Sequence, residues 1–251
     1  MVKVLISDNL SPAAADIFRD RGIEVDVDTK LSVEELHAKI AGYDGLAVRS
    51  ATKATAELIA AADRLKVIGR AGIGVDNIDI AAATQHGVVV MNTPFGNAVT
   101  TAEHAIAMMM AVARQIPAAD QSTQAGKWEK SAFMGAELTG KRLGLIGCGN
   151  IGSIVADRAQ GLKMKVMAFD PFLTEGRAQE LGVAKVELDE LLAAADFITL
   201  HTPLTDSTRD IIDANTLNKT KKGVRIINCA RGGLIVEEAL RAALDSGHVA
   251  G

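Results

Sequence analysis

Short apolar runs alternate with segments of helical spacing over residues 1–92. Ser32, with Glu35 three residues later, predicts a capping box for a helix that ends at Gly42, and Ser11-Pro12 predicts an earlier helix start with Ser11 as the cap. Strand-helix alternation indicates a parallel sheet covered by helices. The apolar runs that predict strands are residues 2–6, 23–27, 46–48, 67–69 and 88–91.

A second alternation follows the turn-forming segment MNTPFGNAV, residues 91–99. Residues 100–115 have helical spacing, with Ala105, Met108, Met109 and Val112 on the expected buried face, and we interpret His104 as a packed histidine. Further strands are predicted at residues 143–146, 165–169, 197–200 and 224–228. The fold class is therefore α/β, with two Rossmann-like or flavodoxin-like parallel-sheet domains, residues 1–97 and 98–251, and a cleft between them.

A glycine-rich turn lies between the first predicted strand and helix of the second domain. Gly147, Gly149 and Gly152 form G-x-G-x-x-G, in which the glycines permit a tight turn, approach of a pyrophosphate and helix–strand packing. The helix that begins near Asn150 directs its N–H groups and positive dipole end at the phosphates. Asp170 closes the next strand, 18 residues after Gly152, where a carboxylate binds the adenosine ribose. The pattern predicts NAD, because Asp170 would repel the 2'-phosphate of NADP.

Polar residues follow the predicted strands of the first domain. Arg49 and Ser50 follow the third strand, and GRAGIGVDNID, residues 69–79, follows the fourth. In open α/β sheets ligands bind beyond the carboxyl ends of the strands, and the N–H groups of residues 72–74 can form an anion-binding nest. Arg49 and Arg70 therefore predict a site for a small substrate with carboxylate and phosphate groups, whereas Lys53 is more simply a surface charge.

Two strand ends in the second domain carry further candidates. The HTP segment, residues 201–203, follows one strand, and His201 there is either an acid/base or a hydrogen-bonding loop residue. CARGG, residues 229–233, follows the last predicted strand, where Arg231 can pair with a carboxylate and polarise a carbonyl. Glu237 and Glu238 suit a helix start and are assigned no chemistry.

Composition narrows the function class. The chain has 251 residues, 48% of them hydrophobic, and a net charge of -4 with acids and bases interspersed, which predicts no nucleic-acid surface. The longest apolar run, residues 105–113, is too short to span a membrane, and the N-terminus reads as a strand rather than a signal peptide. No cysteine–histidine cluster predicts a metal. We expect a cytoplasmic protein, in which Trp128 is either an intersubunit contact or a lid on the chain's own core.

Six motifs together resemble the D-isomer-specific 2-hydroxyacid dehydrogenases: RSATKAT, GRAGIGVDNID, MNTPFGN, GCGNIG, HTPLTDST and KKGVRIINCARGG. The resemblance implies a lid domain, a nucleotide domain, and a homodimer through the nucleotide domain around Trp128, with a tetramer as a further possibility. It implies Arg231 as the catalytic arginine. The implied substrate contacts are Arg49, Ser50, Ile73 through its backbone, Gly74 and Asn97. The expected NAD contacts are Gly147, Gly149, Asn150, Ile151, Gly152, Asp170, His201, Thr202, Pro203, Cys229, Ala230 and Arg231.

The resemblance is closest to members that oxidise D-3-phosphoglycerate. It places the family's catalytic glutamate and histidine beyond Gly251, so we expect a fragment or trimmed chain that binds NAD with little turnover; His248 is not assigned the role. Regulatory domains often follow in this class. Two alternatives stay open: a glyoxylate or hydroxypyruvate reductase, and an NAD-sensing corepressor that binds peptides.

Overall fold

The computed structural model describes residues 1–251, which divide into two compact units, Met1–Asn97 and Ala98–Gly251. The first unit contains a five-stranded sheet in the order β2-β1-β3-β4-β5, all parallel, which is the flavodoxin-like order. Its elements are β1 (Lys3–Ile6), α1 (Ala13–Asp20), β2 (Glu24–Val27), α2 (Val33–Ile40), β3 (Gly45–Val48), α3 (Ala56–Ala60), β4 (Val67–Arg70), α4 (Ile80–Gln85) and β5 (Val89–Asn92).

The core of the first unit is built from strands that are buried on both faces. Leu5, Leu46 and Ile68 lie on β1, β3 and β4 and are almost fully buried. The strand order reverses between β1 and β3, so the loops after these two strands diverge and leave room for a ligand.

The second unit has a five-stranded parallel sheet in the order β10-β9-β6-β7-β8, which is the Rossmann order. Here the strand order reverses between β6 and β9. Its elements are α5 (Ala98–Arg114), α6 (Ile116–Gln124), a 3₁₀ turn (Lys130–Ala132), β6 (Arg142–Ile146), α7 (Asn150–Gly161), β7 (Lys165–Phe169), α8 (Glu175–Leu181), β8 (Ala184–Lys185), α9 (Leu188–Ala194), β9 (Phe197–Leu200), α10 (Ala214–Asn218), β10 (Arg225–Asn228) and α11 (Glu237–Asp245).

Small side chains let α5 approach α7 closely. Ala102, Ala105 and Ala113 on α5 are almost completely buried, as are Ala156 and Ala159 on α7. The small alanine side chain allows two helix backbones to pack close together. The prediction of two parallel-sheet α/β domains is thus confirmed, and the predicted cleft between them stays a prediction.

The two helix starts predicted in the first domain have different outcomes. The capping box is confirmed: Ser32 Oγ accepts from Glu35 N at 3.2 Å, and Glu35 Oε2 accepts from Ser32 N at 2.8 Å. The Ser11 cap is wrong, because the residue at the N-cap of α1 is Pro12, in a helical conformation, and no side chain caps the helix. Ser11 instead uses its carbonyl oxygen to accept from Ala14 N.

The predicted buried face of α5 is partly wrong. Ala105 and Met109 are buried, but Met108 is 42% exposed, and His104 is an exposed rather than a packed residue. The buried stripe is Ala98, Ala102, Ala105, Met109 and Ala113, with the spacing of one helix face. Met108 and His104 each precede a stripe residue by one position, which turns them about 100° away from the core.

Trp128 does not cover the chain's own core, since 85% of its surface is exposed, and that interpretation is wrong. The intersubunit interpretation stays a prediction. As for membranes, no helix in the structure combines the length and the apolar character that a crossing requires.

Candidate dinucleotide and substrate sites

The three glycines of the turn after β6 meet different surroundings. Gly147 has a φ of +93°, and a Cβ there would lie 2.6 Å from the His201 carbonyl oxygen. A Cβ on Gly152 would overlap the carbonyl oxygen of Gly147. At Gly149, which precedes α7, nothing lies within 4 Å of the Cβ position. The fold itself therefore requires Gly147 and Gly152, whereas Gly149 borders open space at a helix N-terminus, which fits a pyrophosphate.

Asp170 is held by main-chain donors on both carboxylate oxygens. Oδ2 accepts from Cys148 N and Oδ1 accepts from Phe172 N, both at 2.8 Å. Each carboxylate oxygen has a second lone pair, so the group can still accept hydrogen bonds from a ribose. Burial, and then the charge of Asp170, raise the pKa of the Cys148 thiol to about 11. Cys148 is therefore a protonated wall of the turn and not a nucleophile.

His201 connects the two central strands of the second sheet. Its N–H donates to the Ile146 carbonyl oxygen at 2.8 Å, and its Nε2 lies 2.9 Å from the buried Thr199 hydroxyl oxygen. Nδ1 is buried without a hydrogen-bond partner. Burial lowers the pKa of His201 to about 4, so the ring is neutral near pH 7. Of the two interpretations left open, the hydrogen-bonding loop residue fits and the acid/base does not; cofactor contact stays a prediction.

We expect His201 to make the folded chain acid-sensitive. Its pKa of about 4 in the folded state lies below the unperturbed 6.5, so the unfolded chain binds more protons between these values. The neutral His201 ring makes its full contribution to the free energy of unfolding above pH 6.5. This contribution decreases as the pH falls and is lost below pH 4. Between pH 7.5 and 5 the free energy of unfolding therefore decreases by about 2 kcal/mol. Urea unfolding at both pH values checks this, with His201→Gln losing less stability than wild type by that amount. Equal losses in the two proteins would contradict it.

Asn228, at the end of β10, organises the loop that carries Arg231. Its Oδ1 accepts from Ala230 N at 3.0 Å, and its Nδ2 donates to the Arg231 carbonyl oxygen at 2.8 Å. Arg231 Nη1 donates to the Ala230 carbonyl oxygen at 2.9 Å. Burial raises the pKa of Cys229, so its thiol is also protonated. Asparagine at a strand end is a known turn former, and that signal could have identified Asn228 from the sequence.

A pocket of about 410 Å³ adjoins this loop within the second domain. The sequence predicts a cofactor contact for Cys229 and a packed position for His104; the structure brings both to this pocket. Residues one turn apart on α5 reach the same pocket because their side chains share a helix face. The lining residues are Thr100, Thr101, His104, Met108, Asn228 and Cys229.

A smaller pocket, of about 300 Å³, lies in the first domain at the end of β3. It brings together two of the predicted substrate contacts, Arg49 and Asn97, while Ser50, Ile73 and Gly74 are not part of its wall. The Ile73 carbonyl oxygen accepts from Asn92 Nδ2 at 2.6 Å. The pocket walls are Leu10, Ser11, Arg49, Ala71, Gly72, Thr93, Gly96 and Asn97.

Arg70 does not present its charge to this pocket, contrary to the sequence prediction. Its side chain is only 10% exposed, its Nε donates to the Arg49 carbonyl oxygen at 3.2 Å, and its Nη1 lies 3.6 Å from Asp76 Oδ1. The buried Arg70 side chain therefore supports the loop that follows β3, through its hydrogen bond to the Arg49 carbonyl oxygen. Lys53 is exposed and outside the pocket wall.

Comparison with known families decides the class of this pair of domains. The model of the D-isomer specific 2-hydroxyacid dehydrogenase NAD-binding domain matches residues 106–251. The chain belongs to the D-isomer-specific 2-hydroxyacid dehydrogenases. The predicted resemblance is thereby confirmed. In this family the second domain is the NAD-binding domain, which agrees with the open space at Gly149 and the oriented carboxylate of Asp170.

Individual dehydrogenases support the same assignment. The chain is 51% identical over 249 residues to D-3-phosphoglycerate dehydrogenase of Archaeoglobus fulgidus, covering 99% of this chain and 47% of that protein. It thus spans about half the length of the curated relatives it matches. A glyoxylate reductase structure from Paecilomyes thermophila superposes with a TM-score of 0.93 at 31% identity, covering 99% and 79% of the two chains. D-lactate dehydrogenase of Aquifex aeolicus, complexed with NAD and lactic acid, gives 0.88 at 27%, covering 99% and 75%.

Proposed function

We propose that this dehydrogenase oxidises D-3-phosphoglycerate to 3-phosphohydroxypyruvate with NAD, the first step of the phosphorylated route to serine. The observation that carries the proposal is the first-domain pocket at the end of β3, which is walled by Arg49, small residues and hydroxyl side chains. A guanidinium beside hydroxyl and amide groups suits a phosphate monoester. The relative from Archaeoglobus fulgidus, which is named for this substrate, supports the same choice.

Within this proposal the side chains position the substrate and stabilise charge. NAD, when bound, would accept the hydride that leaves C2. Arg231 pairs with the substrate carboxylate and stabilises the negative charge that the C2 oxygen gains as its proton leaves. Arg49 holds the phosphate, and Asp170 holds the adenosine ribose. The resemblance assigns the C2 hydroxyl proton to a histidine placed after residue 251; His248 is engaged elsewhere, with its Nε2 lying 2.9 Å from the Leu217 carbonyl oxygen.

We expect Arg49→Ala to lower kcat/KM for D-3-phosphoglycerate about 30-fold, since charge-assisted hydrogen bonds contribute about 2 kcal/mol. D-glycerate, which lacks the phosphate, is expected to lose less than threefold. NADH formation by the purified full-length protein measures both. Exposed Lys53 provides the matched control, with Lys53→Ala unchanged for either substrate. A glycerate rate that exceeds the phosphoglycerate rate in wild type would contradict the proposed substrate.

A second candidate is a glyoxylate or hydroxypyruvate reductase, which the similarity to the Paecilomyes structure favours. The two functions differ in the need for a phosphate. Reduction of glyoxylate or hydroxypyruvate by NADH, with kcat/KM above that for 3-phosphohydroxypyruvate and insensitive to Arg49→Ala, would select the reductase.

We also propose a homodimer formed by the second domain, with a tetramer as the larger assembly, and a cytoplasmic location. Trp128 and Met134 are 85% and 79% exposed, which is unusual for large apolar side chains and suits burial against a second copy. The support for the location is the family's relatives, which are metabolic enzymes.

A further inference from the structure

The loop after β3 is held from one side by a buried carboxylate. Asp8, which follows β1, is only 5% exposed. Its Oδ2 accepts from Arg49 N at 2.5 Å, and its Oδ1 accepts from Thr52 N at 3.0 Å and from Thr52 Oγ1 at 2.7 Å. The Thr52 hydroxyl also lies 2.9 Å from the Ser7 hydroxyl. A buried carboxylate with three donors of this kind fixes both ends of the residue 49–52 loop.

The same loop is held from the opposite side by an amide. Asn77 Nδ2 donates to the Arg49 carbonyl oxygen at 2.7 Å and to the Thr52 carbonyl oxygen at 2.6 Å. Arg70 Nε donates to the same Arg49 carbonyl oxygen at 3.2 Å. The N–H and the C=O of Arg49 are therefore both bound by side chains that follow or belong to neighbouring strands.

The side chain of Arg49 behaves differently from its main chain. It is exposed in the pocket wall, and its Nη1 makes only a long contact, 3.4 Å, with the Asn9 carbonyl oxygen. A guanidinium on a fixed main chain loses less freedom when it binds a ligand than one on a mobile loop, so the affinity for an anion is higher.

We propose that Asn77 and Asp8 are positioning residues that hold Arg49 ready for the substrate phosphate and do not themselves touch the substrate. The inference rests on the proposed function, in which Arg49 binds that phosphate. It assigns to Asn77 and Asp8 a role that concerns substrate affinity and leaves hydride transfer unaffected.

The test uses the full-length protein with Asn77→Ala and Asn77→Asp, the latter of similar size but without the amide donor. We expect KM for D-3-phosphoglycerate to rise about tenfold in both, with kcat within twofold of wild type and the Kd of NADH unchanged. Amide hydrogen exchange at Arg49 and Thr52 is expected to become at least about tenfold faster, because the loop opens more often. Tyr43→Phe is the control: Tyr43 precedes β3, at the opposite end of that strand from Arg49, and the change removes a 2.6 Å hydrogen bond to Asp26 on β2.

A double-mutant cycle separates positioning from general stabilisation. In an Arg49→Ala background, Asn77→Ala is expected to raise KM less than twofold, because its effect passes through Arg49. Multiplicative effects, or a KM rise in Tyr43→Phe equal to that in Asn77→Ala, would overturn the positioning role. So would an unchanged KM in Asn77→Ala beside a raised KM in Arg49→Ala. An unchanged KM in Arg49→Ala overturns the proposed function instead, and the exchange rates still report whether Asn77 holds the loop.

Discussion

Replacing Gly149 with alanine is expected to weaken NADH binding roughly 100-fold while leaving the fold intact. In the structure a Cβ at this position meets no atom within 4 Å, and the φ of Gly149 is -74°; its ψ of -150° lies outside the regions that alanine prefers, so we expect a modest loss of stability beside the loss of affinity. The added methyl group occupies the space at the N-terminus of α7 where a pyrophosphate approaches. A 100-fold weaker affinity corresponds to a steric cost of about 2.7 kcal/mol between the methyl group and the bound ligand.

Replacing Gly147 with alanine is expected to lower the stability of the fold rather than act mainly on NADH affinity. Alanine at Gly147 combines a φ of +93° with a Cβ 2.6 Å from a backbone oxygen, so we expect the free energy of unfolding to fall by about 3 kcal/mol. Gly161, the last residue of α7, faces open space and provides the control. Fluorescence titration with NADH and urea unfolding together check the series. Equal stability in Gly147→Ala and Gly149→Ala, or wild-type NADH affinity in Gly149→Ala, would refute this account of the turn.

The fold was accessible from the sequence where local rules and tertiary packing agree. The strand predicted at residues 197–200 coincides with β9 (Phe197–Leu200), because a run of this length, rich in β-formers and followed by a proline turn, is too short for a buried helix. The buried face of α5 was harder to predict. Met108 and Met109 are equally apolar, so composition cannot show which of them faces the core; the packing of Ala102 and Ala105 against α7 decides it.

Some residues of the candidate sites were predictable from the sequence, and others were not. The glycine turn and Asp170 were predictable because one βαβ unit contains all of their partners. Asp8 and Asn77 were missed as supports of Arg49, since they reach it across 41 and 28 residues of chain. Asp8 did offer a signal, a polar residue directly after a buried strand beside the switch in strand order. Arg70 offered a misleading one, because its charge suggested a ligand while its position in β4 buries it.

Arg231→Lys is expected to lower kcat/KM for the proposed reaction about 1,000-fold with little change in stability. Lysine keeps the positive charge but loses the planar pair of donors that bind a carboxylate bidentately while polarising the neighbouring oxygen. The loop is expected to keep its shape, because Asn228 bonds to the main chain of Ala230 and Arg231 and would still do so. Arg241, 85% exposed at the side chain on α11, provides the matched control in Arg241→Lys.

The division of the Arg231 effect between kcat and KM shows which of its two roles dominates. Binding of the carboxylate is present before and during hydride transfer, so its loss raises KM alone, whereas stabilisation of the C2 oxygen develops only in the transition state, so its loss lowers kcat. We expect the larger part of the fall in kcat, because that oxygen belongs to a neutral hydroxyl in the bound substrate and carries negative charge only in the transition state, as its proton leaves. A fall confined to KM would reduce Arg231 to a binding residue, and a total effect under tenfold would remove it from the catalytic assignment.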